Sequence, residues 1–394
     1  MTTMQNKCLK IWELKINSLL REFQIKKPIV SIIIPHWNNI EILSECLDSI
    51  LSSSFQDIEI IVVDNASSDK SVEWVKKTHP NITIIENSKN YGYSEGCNIG
   101  AAHSNSELLI FLNNDTVIDE NCISELVKAI QLNSETAAIQ PKILNYFNKK
   151  MFDYAGGCGG HLDIYCFPFA RGRLFLNQEI DSGQYDNKEE CFWASGTCIM
   201  VRRNLFFESG GFEKIFFAHM EEIDLCWKLI AMGYKVKVIP TSVVYHKNAL
   251  TLPMFSHKKY YLNHRNSLLM LFGNYSISNI ILKGSIRIIL EIIGFVYSIF
   301  LLDWKHSTAI IRAIIWIIFH PNEIVKKRNK FIKIKKLKDK DIIKKMYQSS
   351  IVAQYYIINK KTYSSILSKY NWYILLLSGS RCFKSISNFL LLIL

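Results

Sequence analysis

None of the ten cysteines belongs to a Cys-x-x-Cys pair; they fall singly at 8, 46, 97, 122, 158, 166, 191, 198, 226 and 382. That scatter excludes a compact disulfide framework and a cysteine zinc site, and predicts reduced thiols as in a cytosolic protein. The first 28 residues lack the unbroken apolar core of a signal peptide. They read instead as a short amphipathic helix, over about 9–23, leading into Lys26-Lys27-Pro28. No apolar run reaches the roughly 20 residues that cross a bilayer. Ile292–Leu302 is interrupted at Ser298 and Ile310–Phe319 at Arg312, and Lys283, Arg287, Glu291 and Lys305 flank them. Such segments are interfacial in character, and they exclude a processive synthase that threads its product through several spanning helices. No Lys-Ser or Lys-Thr follows the cluster Gly156-Gly157-Cys158-Gly159-Gly160, so this reads as a mobile loop and not as a phosphate cradle.

What the chain does have is size, apolar content and positive charge. At 394 residues and 49% apolar composition it is long enough for one large domain with an appendage, or for two domains. The net charge of +12 is uneven. Lys326–Lys345 holds eleven Lys and Arg against Asp339 and Asp341. A solvated linker or helix face, an anionic membrane surface and nucleic acid all answer to such a run. The neighbouring apolar segments, repeated at Tyr373–Leu377 and Phe389–Leu394, favour the membrane over nucleic acid.

From Ile29 strands and helices alternate. Ile29–Ile34, Ile58–Val63, Ile82–Glu86 and Leu108–Leu112 are short apolar runs ended by Pro35, Asp64, Asn87 and Asn113. Between them, Ile40–Leu51 and Val72–Lys77 carry helical spacing, Ser68 or Asp69 is placed to cap the second, and Ile118–Asn133 forms a further helix. This order predicts an α/β fold with a mostly parallel, doubly wound sheet. A dinucleotide-binding version needs glycines in its first turn, and Pro35-His36-Trp37-Asn38-Asn39 has none. Later, Val201–Gly211 and Glu221–Gly233 read as helical and Val236–Ile239 as a late strand.

Four strand ends place polar residues on one rim: His36/Asn38, Asp64/Asn65, Asn87/Asn90 and Asn113/Asp115. Each alone is an ordinary turn; in series they describe a nucleotide pocket at the carboxyl edge of a sheet. Asp64 suits a base N–H or a ribose hydroxyl, and Asp115 a divalent ion held against a diphosphate. A second cluster is Glu221-Glu222-Ile223-Asp224, where Glu221 and Asp224 share a helix face and Glu222 points about 100° away. It is either the acidic first turn of a helix or the source of a general base.

Together, Val30-Ser31-Ile32-Ile33-Ile34-Pro35, Ile61-Val62-Val63-Asp64-Asn65-Ala66-Ser67-Ser68-Asp69, Asn90-Tyr91-Gly92-Tyr93, Leu112-Asn113-Asn114-Asp115, Trp193-Ala194-Ser195-Gly196 and Glu221–Cys226 resemble family 2 glycosyltransferases with the GT-A fold. The likeness covers residues 29 to about 270 and is greatest to the rhamnosyltransferase-type branch that builds bacterial surface polysaccharides. It implies a Rossmann-like mixed sheet, mostly parallel and flanked by helices, with a C-terminal helical, membrane-associating extension. The implied parts are 1–28, 29–275 (a nucleotide-binding half to 133, then an acceptor half) and 276–394.

The resemblance also implies an inverting sugar transfer from a nucleotide sugar, UDP- or dTDP-linked, to a glycan or lipid-linked acceptor. The enzyme would be cytoplasmic and peripheral on the inner face of the plasma membrane. By position, Pro35, His36, Asn38, Asp64, Asn65, Asn90, Gly92, Asn113 and Asn114 would serve the donor, with Arg265 on its diphosphate. Asp115 and His246 would hold Mg²⁺ or Mn²⁺. Trp193, Gly196, Glu221 and Asp224 would face the acceptor, and Glu222 would be the catalytic base. Two positions depart from the family pattern: Asn113 replaces the first acidic residue of DxD, and Glu222 stands where Asp is commoner. Those departures also fit a non-catalytic scaffold subunit of a polysaccharide assembly complex. A nucleotidyltransferase would need a Gly-rich basic first loop, which is absent.

Overall fold

The computed structural model describes residues 27–248 and 255–367. The helix expected over 9–23, the two tail segments, Cys8 and Cys382 lie outside these residues. The eight described cysteines are free and buried.

Strands β1 (Val30–His36), β2 (Ile58–Asp64), β3 (Thr83–Glu86) and β4 (Leu108–Leu112) form parallel pairs β1–β2, β1–β4 and β2–β3. Their continuous apolar runs suit burial on both faces. Alternate residues feed two cores, with Ile33, Ile61, Val63, Leu109 and Phe111 on one side and Ile32, Ile34, Val62, Ile110 and Leu112 on the other. Helix α1 (Ile40–Leu51) starts at Asn39, whose side chain accepts from the Ile42 amide, and buries Leu43, Cys46, Leu47 and Ile50. After it come α2 (Ser71–Thr78), α3 (Gly92–His103) and α4 (Cys122–Gln131). The last begins four residues later than its apolar pattern implies, because Thr116–Ile118 is drawn into a strand, β5.

Beyond α4 the sheet becomes mixed. The strands are β6 (Thr136–Asn145), β11 (Glu189–Glu190), β12 (Cys198–Arg202) and β13 (Lys235–His246), and a small antiparallel sheet of β7 (Gly160–Leu162), β8 (Pro168–Ala170), β9 (Arg173–Leu174) and β10 (Asn177–Gln178) lies between β6 and β11 in sequence. The main sheet runs β11-β13-β6-β12-β4-β1-β2-β3, with β5 on β13. β12 is antiparallel to both neighbours and takes in Val201 and Arg202, so helix α5 is only Arg203–Glu208. β13 does not stop at Pro240: a register shift between Ile239 and Val243 absorbs the proline, and the strand resumes to His246. The glycine cluster is a packed segment rather than a mobile loop. Gly156 to Gly160 are buried, and a Cβ on Gly157 would stand 2.2 Å from the Arg171 carbonyl oxygen.

Helices α6 (Glu221–Ala231) and α7 (His257–Asn274) are followed by α8 (Ser285–Phe300), α9 (Trp304–Phe319) and α10 (Pro321–Ile334). The lysine-rich stretch is not a linker: α10 turns Lys327 and Phe331 inward. The Lys327 ammonium donates to Asp224 at 2.5 Å, Asn274 donates to the same oxygen at 2.9 Å, and Lys228 lies 3.5 Å from the other. Asp224, expected on the acceptor side, is thus a buried counter-ion that ties α10 to α6. Residues beyond α10 return to the small sheet, where the Tyr347 amide donates to Leu162 and the Ile351 amide to Asp163. No single described helix is long and apolar enough to cross a membrane; α9 and α10 reach the length only as a pair bent by 74°. The second limb of that pair carries Lys326, Lys327, Arg328, Lys330 and Lys333 and packs into the core.

Removing the carboxylate should strand two buried ammonium groups. Asp224→Ala is expected to lower the unfolding free energy by about 3–5 kcal/mol, read by urea denaturation; a loss below about 1 kcal/mol would show that the pair is not desolvated.

Candidate active site

Parallel register builds the rim. His36 lies opposite Asp64, and the β1–β4 register, Ile33 opposite Phe111, carries His36 to Asn114. The Asn114 amide donates to His36 Nδ1 at 2.9 Å. The imidazole proton therefore sits on Nε2, which is buried without an acceptor. Burial, only partly opposed by Asp64 and Asp69, holds the His36 pKa below its ordinary value. Asp64 accepts the Ser67 amide on Oδ2 at 3.0 Å, and its Oδ1 is buried and unpaired.

The neighbouring amides are spent on shaping loops. Asn38 Oδ1 accepts the Ser68 amide at 2.8 Å. Asn65 Oδ1 accepts from Asn87 and from the Tyr91 amide, and its Nδ2 donates to the Gly92 carbonyl. Asn90 Oδ1 accepts the Gly92 amide. Asn38, Asn65 and Asn90, expected on the donor, therefore act on the backbone around it. Gly92 is required where it stands: its φ is +84°, and a Cβ would lie 2.4 Å from the Phe217 carbonyl oxygen. Pro35 is half-buried against Gly96.

A second corner forms where β13 meets β5 and β6. His246 pairs with Thr116 on one side and Asn145 on the other. Its Nε2 lies 3.1 Å from Asp115 Oδ1, and its Nδ1 lies 2.8 Å from Asp153 Oδ1. Asn113 Nδ2 is 3.5 Å from the same Nε2. Burial pulls the His246 pKa down, but the two carboxylates outweigh it and push it up to about 10. Burial raises Asp115 in turn, and the imidazolium more than reverses that. Asp153 was not expected: it stands alone in sequence, and only β6 returning beside β13 brings it to His246.

The third corner is the turn before α6. Phe217, His219 and Met220 all have positive φ, at 65°, 70° and 72°, a conformation costing on the order of 1–3 kcal/mol each. Side chains from α7 impose it. Asn266, fully buried, donates to the carbonyls of Phe216, Ala218 and His219 at 3.0, 3.0 and 2.7 Å. Arg265 donates to the Ile215 and Phe216 carbonyls. The Arg265 guanidinium, expected on a diphosphate, is consumed by this clamp. Nothing in the local sequence pattern of its neighbour Asn266 marks a contact some fifty residues away.

The clamp sets Glu221 and Glu222 at the start of α6. Each has an Oε2 that is buried and unpaired. Burial raises both pKa values, Glu222 to about 7, and the Glu222 charge raises Glu221 further. Glu222 faces Gly196, whose carbonyl accepts from the Tyr93 hydroxyl at 2.5 Å. Trp193, expected on the acceptor side, is buried, its indole donates to the His161 carbonyl, and its ring packs against Gly160.

Residues 31–207 match the family model described as glycosyl transferase family 2. The low-salt glycan biosynthesis hexosyltransferase Agl10 of Haloferax volcanii is 27% identical over 219 residues, 54% of this chain and 66% of that protein. An N-acetylglucosaminyl-diphospho-decaprenol L-rhamnosyltransferase of Mycobacterium tuberculosis is 22% identical over 223 residues, 52% of this chain and 72% of its own. Against an uncharacterized protein of Sinorhizobium fredii and the O-antigen biosynthesis protein RfbC of Myxococcus xanthus, the match spans only 24% and 18% of their lengths. Among solved structures, GalNAc-T7 with UDP, GalNAc and Mn²⁺ superposes with a TM-score of 0.52 at 17% identity, over 64% of this chain and 49% of that one. This shared fold is of the GT-A type, a mixed, mostly parallel sheet flanked by helices.

Asn266→Ala should release three carbonyls at about 1 kcal/mol or more each. The expected result is a loss of roughly 3 kcal/mol in urea denaturation and faster amide exchange over residues 216–222. Unchanged exchange there would mean that the turn holds its shape without the clamp.

Proposed function

We propose, from the match of residues 31–207 to the family 2 glycosyl transferase model, that the chain moves a sugar from a nucleoside-diphosphate sugar to a hydroxyl of a glycan acceptor in cell-surface polysaccharide synthesis. One observation carries the reading: His36 Nε2, Asp64 Oδ1 and the Oε2 atoms of Glu221 and Glu222 are buried polar atoms without partners among the described residues. Groups left this way are costly, and a polar ligand with complementary atoms relieves them. The names of the relatives support a lipid-linked acceptor and a hexose or rhamnose donor.

Asp64 and the His36 Nε2–H offer an acceptor and a donor to the nucleotide. Glu222 takes the proton from the acceptor hydroxyl as that oxygen bonds to the anomeric carbon. The bond from that carbon to the diphosphate oxygen breaks, and the configuration inverts. Asp115 and His246 fit a divalent ion. Asp153 accepts from Nδ1, which aims Nε2 at Asp115, and the proton now shared there occupies the place of a positive charge. A Mg²⁺ or Mn²⁺ held there by Asp115 and His246 would offset charge on the leaving diphosphate.

The C-terminal helices support a peripheral place on the inner face of the plasma membrane. Phe300, Leu301, Leu302, Trp304 and Phe319 are exposed, and Lys305, Lys326 and Lys330 are exposed on α9 and α10. An open cavity of about 450 Å³ between α8 and α9 is lined by Phe295, Ile299, Trp304, Ile311 and Arg312 among others.

The first test is thermal shift with UDP-, GDP- and dTDP-sugars, with and without Mn²⁺; a metal-dependent rise with one of them is expected, and none with any would undo the reading. Glu222→Gln should retain donor binding and lose about 10²–10⁴-fold in turnover; wild-type turnover would move the base elsewhere. Because the raised carboxyl must be ionised to act, wild-type kcat should fall as pH drops through about 7. A flat profile from pH 5 to 9 would contradict that role. On vesicles containing phosphatidylserine, Leu302→Glu with Phe319→Glu should weaken binding about tenfold or more while sparing donor binding; undiminished binding would refute the membrane face.

A further inference from the structure

Two cations beside the Asp115–His246 corner have no carboxylate of their own among the described residues. Arg173 opens β9 directly after the two-residue turn Arg171-Gly172, with Ala170 paired to Arg173, so its backbone position is fixed. The residue is 8% exposed. Its guanidinium lies 4.6 Å from the Tyr154 ring centroid. Its one hydrogen bond is a long 3.4 Å contact from Nη1 to the Phe175 carbonyl, and Nε is buried with no acceptor. Lys259, in the first turn of α7, brings its ammonium to 5.9 Å from the same ring centroid. It donates to no acceptor among the described residues.

The two groups are placed at the mouth of the site. Tyr154 follows Asp153, the carboxylate that orients His246. The Lys259 charge is felt by Asp153 and Asp115 on one side and by His219, in the clamped turn before Glu221, on the other. Burial lowers the Lys259 pKa in spite of those carboxylates. Both carboxylates are already engaged with His246. A buried guanidinium and a half-buried ammonium without counter-ions are unfavourable unless an anion joins them. The fork of an arginine and the point charge of a lysine together suit phosphate oxygens.

We propose that Arg173 and Lys259, set against Tyr154, form a phosphate-binding pair that grips a diphosphate at the mouth of the Asp115–His246 corner. This rests on the transferase reading for the identity of the diphosphate, which belongs either to the donor nucleotide or to a lipid-linked acceptor. Arg265, consumed by the turn it clamps, leaves that task to this pair.

The test is calorimetric titration of the full chain with inorganic pyrophosphate, UDP, dTDP, GDP and farnesyl diphosphate, in Mn²⁺ and in EDTA. Lys259→Ala, which removes an ammonium that makes no hydrogen bond among the described residues, should weaken pyrophosphate binding about tenfold or more, while Lys259→Arg restores most of it. Arg173→Gln should do the same, with its melting temperature checked. A matching loss for the nucleoside diphosphates alone assigns the donor's diphosphate, and for farnesyl diphosphate alone the acceptor's. Pyrophosphate that fails to bind the wild type, or binds all variants equally, overturns the pair. Nucleotide binding unchanged by Lys259→Ala in that case leaves the transferase reading intact. Lys259-dependent pyrophosphate binding with no nucleoside diphosphate bound would sustain the pair and sink the donor assignment.

Discussion

The register of the parallel strands is the constraint from which the site follows. β1, β2 and β4 are buried on both faces, so a slip of one residue would exchange the side chains that feed the two cores. Ile33, Ile61 and Phe111 would change places with Ile32, Ile60 and Ile110. With slippage blocked, the last residues of these strands have no freedom in where they emerge. His36 must lie beside Asp64, and Asn114 must reach the His36 ring. A pocket rim is therefore a by-product of hydrophobic packing some way beneath it.

Above that rim the molecule holds charges in places where water would serve them better. Burial should neutralise His246, yet Asp115 and Asp153 keep it protonated. Burial also raises Glu221 and Glu222, and neither carboxylate is paired with a cation among the described residues. The turn that presents those two carboxylates contains three non-glycine residues at positive φ. Five hydrogen bonds from Asn266 and Arg265 to its carbonyls offset that strain. Such unfavourable local arrangements persist only where the surrounding structure over-determines them, and here that surrounding is helix α7.

Helix α7 is also where the C-terminal part becomes inseparable from the core. α9 and α10 pack on it, Ile317 and Phe331 join the same apolar cluster as Phe111, and Lys327 reaches through to Asp224. A lysine-rich run thus divides its labour. Lys327 is an interior counter-ion, while Lys326, Lys330 and Lys333 remain exposed.

The sequence by itself determined the first four strands and their order, the rim residues His36, Asp64 and Asp115, and the acidic start of α6. Each is written in local pattern: a β-branched run, a polar stop, a helical period. It also carried the family likeness, because those patterns recur in fixed order. Tertiary structure alone decided the partners. Asp153 becomes the orienting group of His246 only because β13 runs beside β6. Asp224 turns from a site candidate into a counter-ion only when α10 folds back, and Arg265 is withdrawn from a diphosphate by carbonyls fifty residues away. Arg173 and Lys259 meet at Tyr154 although they lie far apart in the chain. Short-range pattern fixes which faces of an element are apolar; which buried charge meets which counter-charge depends on long-range packing, and that is set only when the whole chain has closed.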